Sequence, residues 1–146
     1  MTVIYDLISE AKSRVVTVDK GKTVYFAIAL MVENNIGSLV VIGDGAVAGI
    51  ITERDYLKRV TLKGKSSRTT RVEDIMSTDL VYVEPDTSVE EAMAIMSEKR
   101  FRHLPVLKDG GLIGLVSIGD LVKNVVADQK AEINYLNEYV AGAYPG

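Results

Sequence analysis

Residues 49–55 of the chain read Gly-Ile-Ile-Thr-Glu-Arg-Asp, and residues 114–120 read Gly-Leu-Val-Ser-Ile-Gly-Asp. In both stretches a β-rich run ends at a Thr or Ser that can begin a helix, with an Asp three residues later. A shift of 65 residues superimposes them, and the same shift aligns residues 16–60 with residues 81–125 without a gap. Because 15 of these 45 aligned positions are identical, the chain contains an internal repeat.

The repeat extends upstream, where Asp-Leu-Ile-Ser at residues 6–9 answers Asp-Ile-Met-Ser at residues 74–77. A repeat of this kind indicates a unit that cannot bury its apolar face alone and packs against its twin. Each copy predicts a strand, a helix, a second strand, an Asp-Gly hairpin turn, a third strand and a second helix. In order, these are residues 15–18, 23–34, 39–42, 44–45, 47–51 and 52 onward in copy one, and 80–83, 88–99, 104–107, 109–110, 112–116 and 117 onward in copy two.

The pattern predicts an α/β (α+β) fold of two tandem β-α-β-β-α repeats. We assign residues 1–62 to the first repeat, 63–71 to an exposed linker, 72–127 to the second repeat and 128–146 to a C-terminal helix and tail. Helix starts are expected at Thr23 and Ser88, and Glu91 completes a capping box with Ser88.

Composition excludes several classes of function. The chain has no cysteine, which excludes a disulfide framework, a thiolate nucleophile and a Cys-ligated zinc site, and its one histidine excludes a multi-His metal cluster. We find no catalytic set and predict that the protein is not an enzyme. A net charge of −3, no apolar run of membrane-spanning length and no signal-peptide pattern predict a cytoplasmic protein without a membrane partner.

The corner after the third strand has the residue types that recognise a sugar phosphate. Its glycine allows a close approach to the backbone, and its Thr or Ser lies where helix N–H groups attract anions. Its Asp can accept both hydroxyls of a ribose. The alternative is an ordinary helix start, in which the hydroxyl and carboxylate only cap the helix. Retention of both groups at the 65-residue shift favours a binding function.

A second group of candidates enters the second strand of copy two. Arg102 offers donors suited to phosphate, and His103 offers another, whereas copy one has Gly37 and Ser38 at these positions. The alternative is that both are surface residues of a loop. If ligands bind, the cleft facing Arg102 and His103 suits the more highly charged phosphate.

The order and doubling of these motifs resemble the CBS-domain pair, also called a Bateman module. The motifs are the tandem units, Asp-Ile-Met-Ser, Arg-His-Leu-Pro-Val at residues 102–106 and the two Ser/Thr-x-x-Asp corners. The resemblance implies a pseudo-twofold pair with two clefts that bind adenosine-containing ligands such as AMP, ATP, NAD or S-adenosylmethionine. It also implies dimerisation into a flat disc.

Site residues follow from the resemblance, one cleft at a time. It implies that Asp55 and Asp120 hold ribose hydroxyls, with Thr52 and Ser117 close to the sugar or phosphate. The Asp55 cleft would be completed by Ile50, Val81, Arg102 and His103. The Asp120 cleft would be completed by Val16, Leu115, Gly37 and Ser38.

We therefore expect a nucleotide sensor that signals to an effector protein, because no effector domain is encoded here. The alternative is a ligand-independent module for structure or protein interaction. The basic residues between 58 and 71 are read as a solvated stretch, so no nucleic-acid partner is predicted. Tyr135 and Tyr139 of the tail are expected to pack against a partner chain or against the body.

Overall fold

A computed structural model describes residues 2–10 and 15–143 of the chain. The first repeat contains α1 (Ile4–Glu10), β1 (Thr17–Asp19), α2 (Val24–Asn34), β2 (Ser38–Gly43), β3 (Ala46–Thr52) and α3 (Glu53–Tyr56), which runs into a π-helical turn (Leu57–Thr61). The second repeat contains α4 (Val72–Ile75), α5 (Val89–Lys99), β4 (His103–Lys108), β5 (Gly111–Ser117) and α6 (Ile118–Ala143). This mixed α+β order confirms the predicted pair of repeats.

The hairpin turns reproduce the sequence repeat in their backbone angles. Asp44 and Gly45 have φ of 53° and 79°, and Asp109 and Gly110 have φ of 52° and 80°. Two successive residues with positive φ form the turn that matches the twist of paired strands, which is why Asp-Gly lies at both sites. Antiparallel pairs β2–β3 and β4–β5 follow, each with an irregularity at the same place in its register.

The first strand differs between the repeats, and here one prediction is wrong. In copy one β1 pairs in parallel with β2, but in copy two the strand predicted over residues 80–83 is a single bridge from Val83 to Val106. Val83 donates to the carbonyl of Pro105 and accepts from Leu107. The next bond upstream would need an N–H from Pro105, which proline lacks, so the ladder stops there.

The N-terminal helix of each repeat packs into the core of the other repeat. Ile4 of α1 is buried in the core formed by the second repeat, where it joins residues such as Met96 and Leu104. Val72 and Ile75 of α4 are buried in the core of the first repeat. The two cores are therefore built by exchange, which joins the copies into one folded unit.

Helix α2 begins where the predicted linker folds back on it. The Thr23 hydroxyl accepts from the N–H of Phe26, and Ser88 caps α5 in the same way through the N–H of Glu91. The N–H groups of Val24 and Tyr25 donate to carbonyls of the segment between the repeats, at 2.8 Å and 2.9 Å. That segment is thus exposed for most of its length but docked at the start of α2.

The C-terminal helix is longer than predicted. The helix expected to begin at Ser117 and the helix expected in the tail form one continuous element, α6, of 26 residues. Tyr135 and Tyr139 are each 66% exposed, so they do not pack against the body. The Gly-Ala-Tyr-Pro-Gly stretch at residues 142–146 is expected to end the helix, but α6 continues through Gly142 to Ala143, and residues 144–146 lie outside the described residues.

Candidate functional site

Two cavities lie between the repeats, one beside each Ser/Thr-x-x-Asp corner. The cavity beside Asp120 has a volume of about 480 Å³. All six residues predicted for it line its wall: Val16, Gly37, Ser38, Leu115, Ser117 and Asp120. Ile8, Val15, Ile36 and Gly114 add apolar surface to its wall. We call this cavity the Asp120 cleft.

The second cavity, the Asp55 cleft, has a volume of about 360 Å³. Five of its six predicted residues line it: Ile50, Thr52, Asp55, Arg102 and His103. Val81 instead packs against the core of the second repeat, and Asp79 and Leu80 lie along the cavity in its place.

Gly37 and His103 line both cavities. The sequence assigned Gly37 to the Asp120 cleft and His103 to the Asp55 cleft, so each assignment is extended by the structure. His103 starts β4, where it pairs with Ser117 of the Asp120 corner. The two clefts therefore share a wall, and a group bound in either one comes close to the same imidazole.

Both corners form reciprocal hydrogen bonds. The N–H of Thr52 donates to Asp55 Oδ2 at 2.9 Å, and the N–H of Asp55 donates to Thr52 Oγ1 at 3.1 Å. Ser117 and Asp120 repeat this arrangement with the same two distances. Each corner is thus a helix cap, and across residues 2–10 and 15–143 the hydrogen bonds found for both carboxylates use Oδ2. None of these bonds uses Oδ1 of either carboxylate.

The glycine that both corners share makes room for a segment of the other repeat. A Cβ added at Gly49 would lie 2.6 Å from the carbonyl oxygen of Ser77 and 2.9 Å from Met76 Sδ. At Gly114 it would lie 2.9 Å from Ile8 Cγ2. Ile8 and Met76 are matching positions of the two exchanged segments. The close approach predicted from the sequence is real, and the group that approaches is the twin repeat.

Cations distinguish the clefts. Arg54, Arg100 and Arg102 all line the Asp55 cleft, together with the acidic residues Asp55 and Asp79. Among the described residues that line the Asp120 cleft there is no lysine or arginine. Sequence reasoning found Arg102 but missed Arg54 and Arg100. Arg100 has a left-handed φ of 60° at the end of α5, a backbone state that the sequence does not reveal.

The electrostatic state of His103 reflects its place between the clefts. Burial lowers the pKa of His103 below its ordinary value of 6.5. The Asp120 carboxylate opposes this shift, the Arg102 guanidinium adds to it, and the Asp55 carboxylate also opposes it. A neutral imidazole offers one donor and one acceptor, and an anion bound beside it would favour the charged form.

No cluster of three or more His, Asp or Glu side chains is placed to hold a metal ion within residues 2–10 and 15–143. Over the same ranges, no helix combines the length and the apolar character that crossing a bilayer requires.

Known proteins match this chain along most of its length. The CBS domain family profile matches residues 4–61 and 72–127. A mitochondrial CBS domain-containing protein of Arabidopsis thaliana is 49% identical over 127 residues, which cover 84% of this chain and 62% of the relative. The chain thus spans somewhat less than two thirds of that relative's length.

Two solved structures show how closely the fold agrees. A protein with CBS domains from Burkholderia ambifaria is 50% identical with a TM-score of 0.81, covering 88% of this chain and 96% of that one. The hexameric CBS-CP12 protein from bloom-forming cyanobacteria is 26% identical with a TM-score of 0.76, covering 99% of this chain and 90% of that one. Together with the two profile matches, these similarities show that the chain belongs to the CBS domain family and is a tandem pair of CBS domains.

Proposed function

We propose that this CBS-domain pair is a regulatory module that binds adenosine-containing nucleotides in its two clefts and signals to an effector protein. The observation that supports it most is the repetition of one arrangement at both cavities. Each has a hydroxyl and an aspartate on the first turn of a helix, beside an apolar wall. Ribose hydroxyls would donate to the carboxylate oxygens, and the base would lie on the apolar side.

The difference in charge predicts a difference in ligand. Three guanidinium groups around the Asp55 cleft favour a di- or triphosphate, which can accept bidentate hydrogen bonds from arginine. The Asp120 cleft is larger and more apolar, and it favours a ligand of low charge. We therefore assign ATP or NAD to the Asp55 cleft and a nucleoside or monophosphate, such as AMP, to the Asp120 cleft.

Signalling follows from binding between the repeats. A ligand that contacts both copies stabilises one relative arrangement by the difference in its affinity for the two arrangements. The protein then acts by binding and not by catalysis, as a homo-oligomer, and the hexameric cyanobacterial neighbour supports self-association. A cytoplasmic location stays a prediction, since the Arabidopsis relative is a mitochondrial protein.

The second candidate is a ligand-independent interaction module, and one observation favours it. The Thr52–Asp55 and Ser117–Asp120 pairs already satisfy each other as helix caps. A protein that needed these residues only for folding would show the same contacts.

A thermal-shift screen separates the two candidates. Wild-type protein is heated with AMP, ADP, ATP, NAD, NADH or S-adenosylmethionine, and the screen is repeated on Asp55→Ala and Asp120→Ala. At a ligand concentration about 100 times Kd, linkage gives about 2.7 kcal/mol of stabilisation, and for a chain of this size the melting temperature rises on the order of 5–10 °C. The nucleotide function predicts a shift that one aspartate variant abolishes.

The matched control is Ser88→Ala, which removes a helix cap remote from both corners. It is expected to lower the melting temperature of the free protein and to keep the full ligand-induced shift. A cooperative melt that no nucleotide shifts would support the interaction module.

A further inference from the structure

The last part of α6 leaves the body of the molecule. Every residue from position 127 to position 140 is exposed, although Leu121 at the start of the helix is fully buried. Ile133, Leu136 and Val140 are 57%, 50% and 53% exposed. An isolated helix of this length is marginal in water, and most helices are stabilised by packing of an apolar face. This segment shows such a face, and nothing within residues 2–10 and 15–143 covers it.

One stripe of the helix follows a heptad repeat that is apolar except at Gln129. Val122, Val126, Gln129, Ile133, Leu136 and Val140 are spaced alternately by four and three residues. That spacing places them in one stripe along the helix, as in the seam of a coiled coil. Setting Val126 as position a makes all three a residues β-branched, and position d holds Val122, Gln129 and Leu136. β-branched residues at a with leucine at d favour two parallel strands.

Charge decides the direction of pairing. In a parallel pair, each g position of one copy lies beside the following e position of the other copy. Glu132 then lies beside Asn137 of the second copy, and the aliphatic stem of Lys130 lies over Val125 of the second copy. A fully overlapping antiparallel pair would instead set Lys130 against Lys130 and Glu132 against Glu132 across the twofold axis. Like charges in these positions oppose association, so the sequence of the helix suits a parallel arrangement.

We propose that residues 122–140 of α6 form a parallel two-stranded coiled coil with the same segment of a second copy of this chain. The contact is isologous, since the stripe of each copy meets its own equivalent. The coiled coil rests on the proposed function only because both require self-association of the chain. It is independent of nucleotide binding. Most of the segment lies beyond the second repeat, so this contact adds to any contact between the bodies of the two copies.

Disulfide trapping tests the direction and the register, because the natural chain has no cysteine. Val126→Cys is oxidised with glutathione beside Ala131→Cys, an exposed control five residues away on the opposite face of the helix. The parallel pair predicts that Val126→Cys dimers form at least tenfold faster than Ala131→Cys dimers. Equal rates would overturn the proposal, and so would cross-linking of Val126→Cys only when it is mixed with Leu136→Cys.

Sedimentation equilibrium of the full chain tests the contact itself. Ile133→Asp is expected to halve the mass of the assembly or to raise its dissociation constant at least tenfold. Tyr135→Asp removes a similarly exposed apolar side chain outside the stripe, and it should sediment like wild type. An Ile133→Asp variant that sediments like wild type would overturn the coiled coil alone. A wild-type protein that is monomeric at all concentrations would overturn both the coiled coil and the proposed self-association, and neither result bears on nucleotide binding.

Discussion

His103 is the side chain on which the two clefts converge. It lines both cavities, and burial together with Arg102 keeps it in the neutral form against the pull of two aspartates. Its twin in the first repeat is Ser38, which lines only the Asp120 cleft among the described cavities. The repeats are thus similar in backbone and asymmetric in charge, and the asymmetry comes from Arg54, Arg100 and Arg102, whose counterparts in the other repeat are uncharged.

The lowered pKa of His103 predicts a pH dependence of stability. The His103 imidazole takes up a proton near pH 6.5 in the unfolded chain, but only at a lower pH in the folded chain. The contribution of His103 to the free energy of unfolding is therefore fully present above pH 6.5 and decreases as the pH falls below it. His103→Gln removes this contribution. The melting temperature should therefore decrease more between pH 8 and pH 5.5 in wild type than in His103→Gln. An identical fall in both proteins would contradict the assignment.

The two corner aspartates have a measurable structural role besides any binding role. Each closes a cap, and loss of a cap costs about 1 kcal/mol. Asp55→Ala and Asp120→Ala should therefore both destabilise the free protein in urea unfolding, and Asp55→Ala somewhat more, because Asp55 Oδ2 also accepts from the Thr52 hydroxyl at 3.0 Å. A larger loss for Asp120→Ala would contradict this account of the two caps.

At the scale of elements, the exchanged segments hold the repeats together. The main chain at Ser77 bonds reciprocally to Ile50 at 2.9 Å and 3.0 Å, directly beside Gly49. On the other side of the molecule Ile8 lies over Gly114. The first contact is backbone against backbone, and the second is a side chain against backbone.

This difference predicts unequal effects of the same substitution. Gly49→Ala would force a Cβ against the Ser77 carbonyl and strain two hydrogen bonds, at a cost of about 1–3 kcal/mol. Gly114→Ala meets only side-chain atoms, namely Cγ2, Cδ1 and Cβ of Ile8 at 2.9 Å, 3.3 Å and 3.4 Å, and within the described residues no main-chain hydrogen bond lies against them. Thermal unfolding should show the larger loss for Gly49→Ala. A larger loss for Gly114→Ala would mean that the α1 contact, and not the α4 contact, is the rigid one.

Local signals in the sequence predicted the helices, strands and turns well. They predicted much less about which elements pack together over long distances. Thr23, Ser88 and the Asp-Gly turns act within a few residues, so their positions could be read from the sequence. Which repeat receives α1 could not, because an apolar face does not specify its partner. The loss of the strand at residues 80–83 depends on a proline one strand away.

The same distinction holds for the candidate site. Thr52, Asp55, Ser117 and Asp120 belong to a local motif and were found. Arg54 and Arg100 reach the cleft only because a helix start and a left-handed helix end happen to converge on it. No spacing in the sequence links these two positions.

At the scale of the whole molecule, two similar halves enclose two dissimilar clefts. The backbone repeat makes both clefts suited to a ribose, and Arg54, Arg100 and Arg102 make one of them suited to phosphates. Because His103 and Gly37 form a common wall, occupancy of one cleft is expected to change affinity at the other. An effector protein could then respond to the ratio of two nucleotides and not to one alone.

The charge asymmetry predicts which substitution changes ligand preference. Arg102→Gln removes one guanidinium from the Asp55 cleft, and loss of a charge-assisted hydrogen bond typically costs about 1.5–3 kcal/mol. Affinity for ATP should fall at least tenfold, and affinity for adenosine should stay unchanged. Equilibrium dialysis with both ligands would measure the two constants, and an equal loss for both would place Arg102 outside the phosphate contact.

The central claim is that the repeated corners bind a nucleotide, and isothermal titration calorimetry of ATP tests it most directly. Titrations are run into wild type, Asp55→Ala and Asp120→Ala, each confirmed to be folded. We predict saturable binding to wild type and to Asp120→Ala, with an affinity reduced at least tenfold in Asp55→Ala. Equal affinities in all three proteins would contradict the assignment of ATP to the Asp55 cleft, and the absence of binding to folded wild type would contradict ATP binding itself.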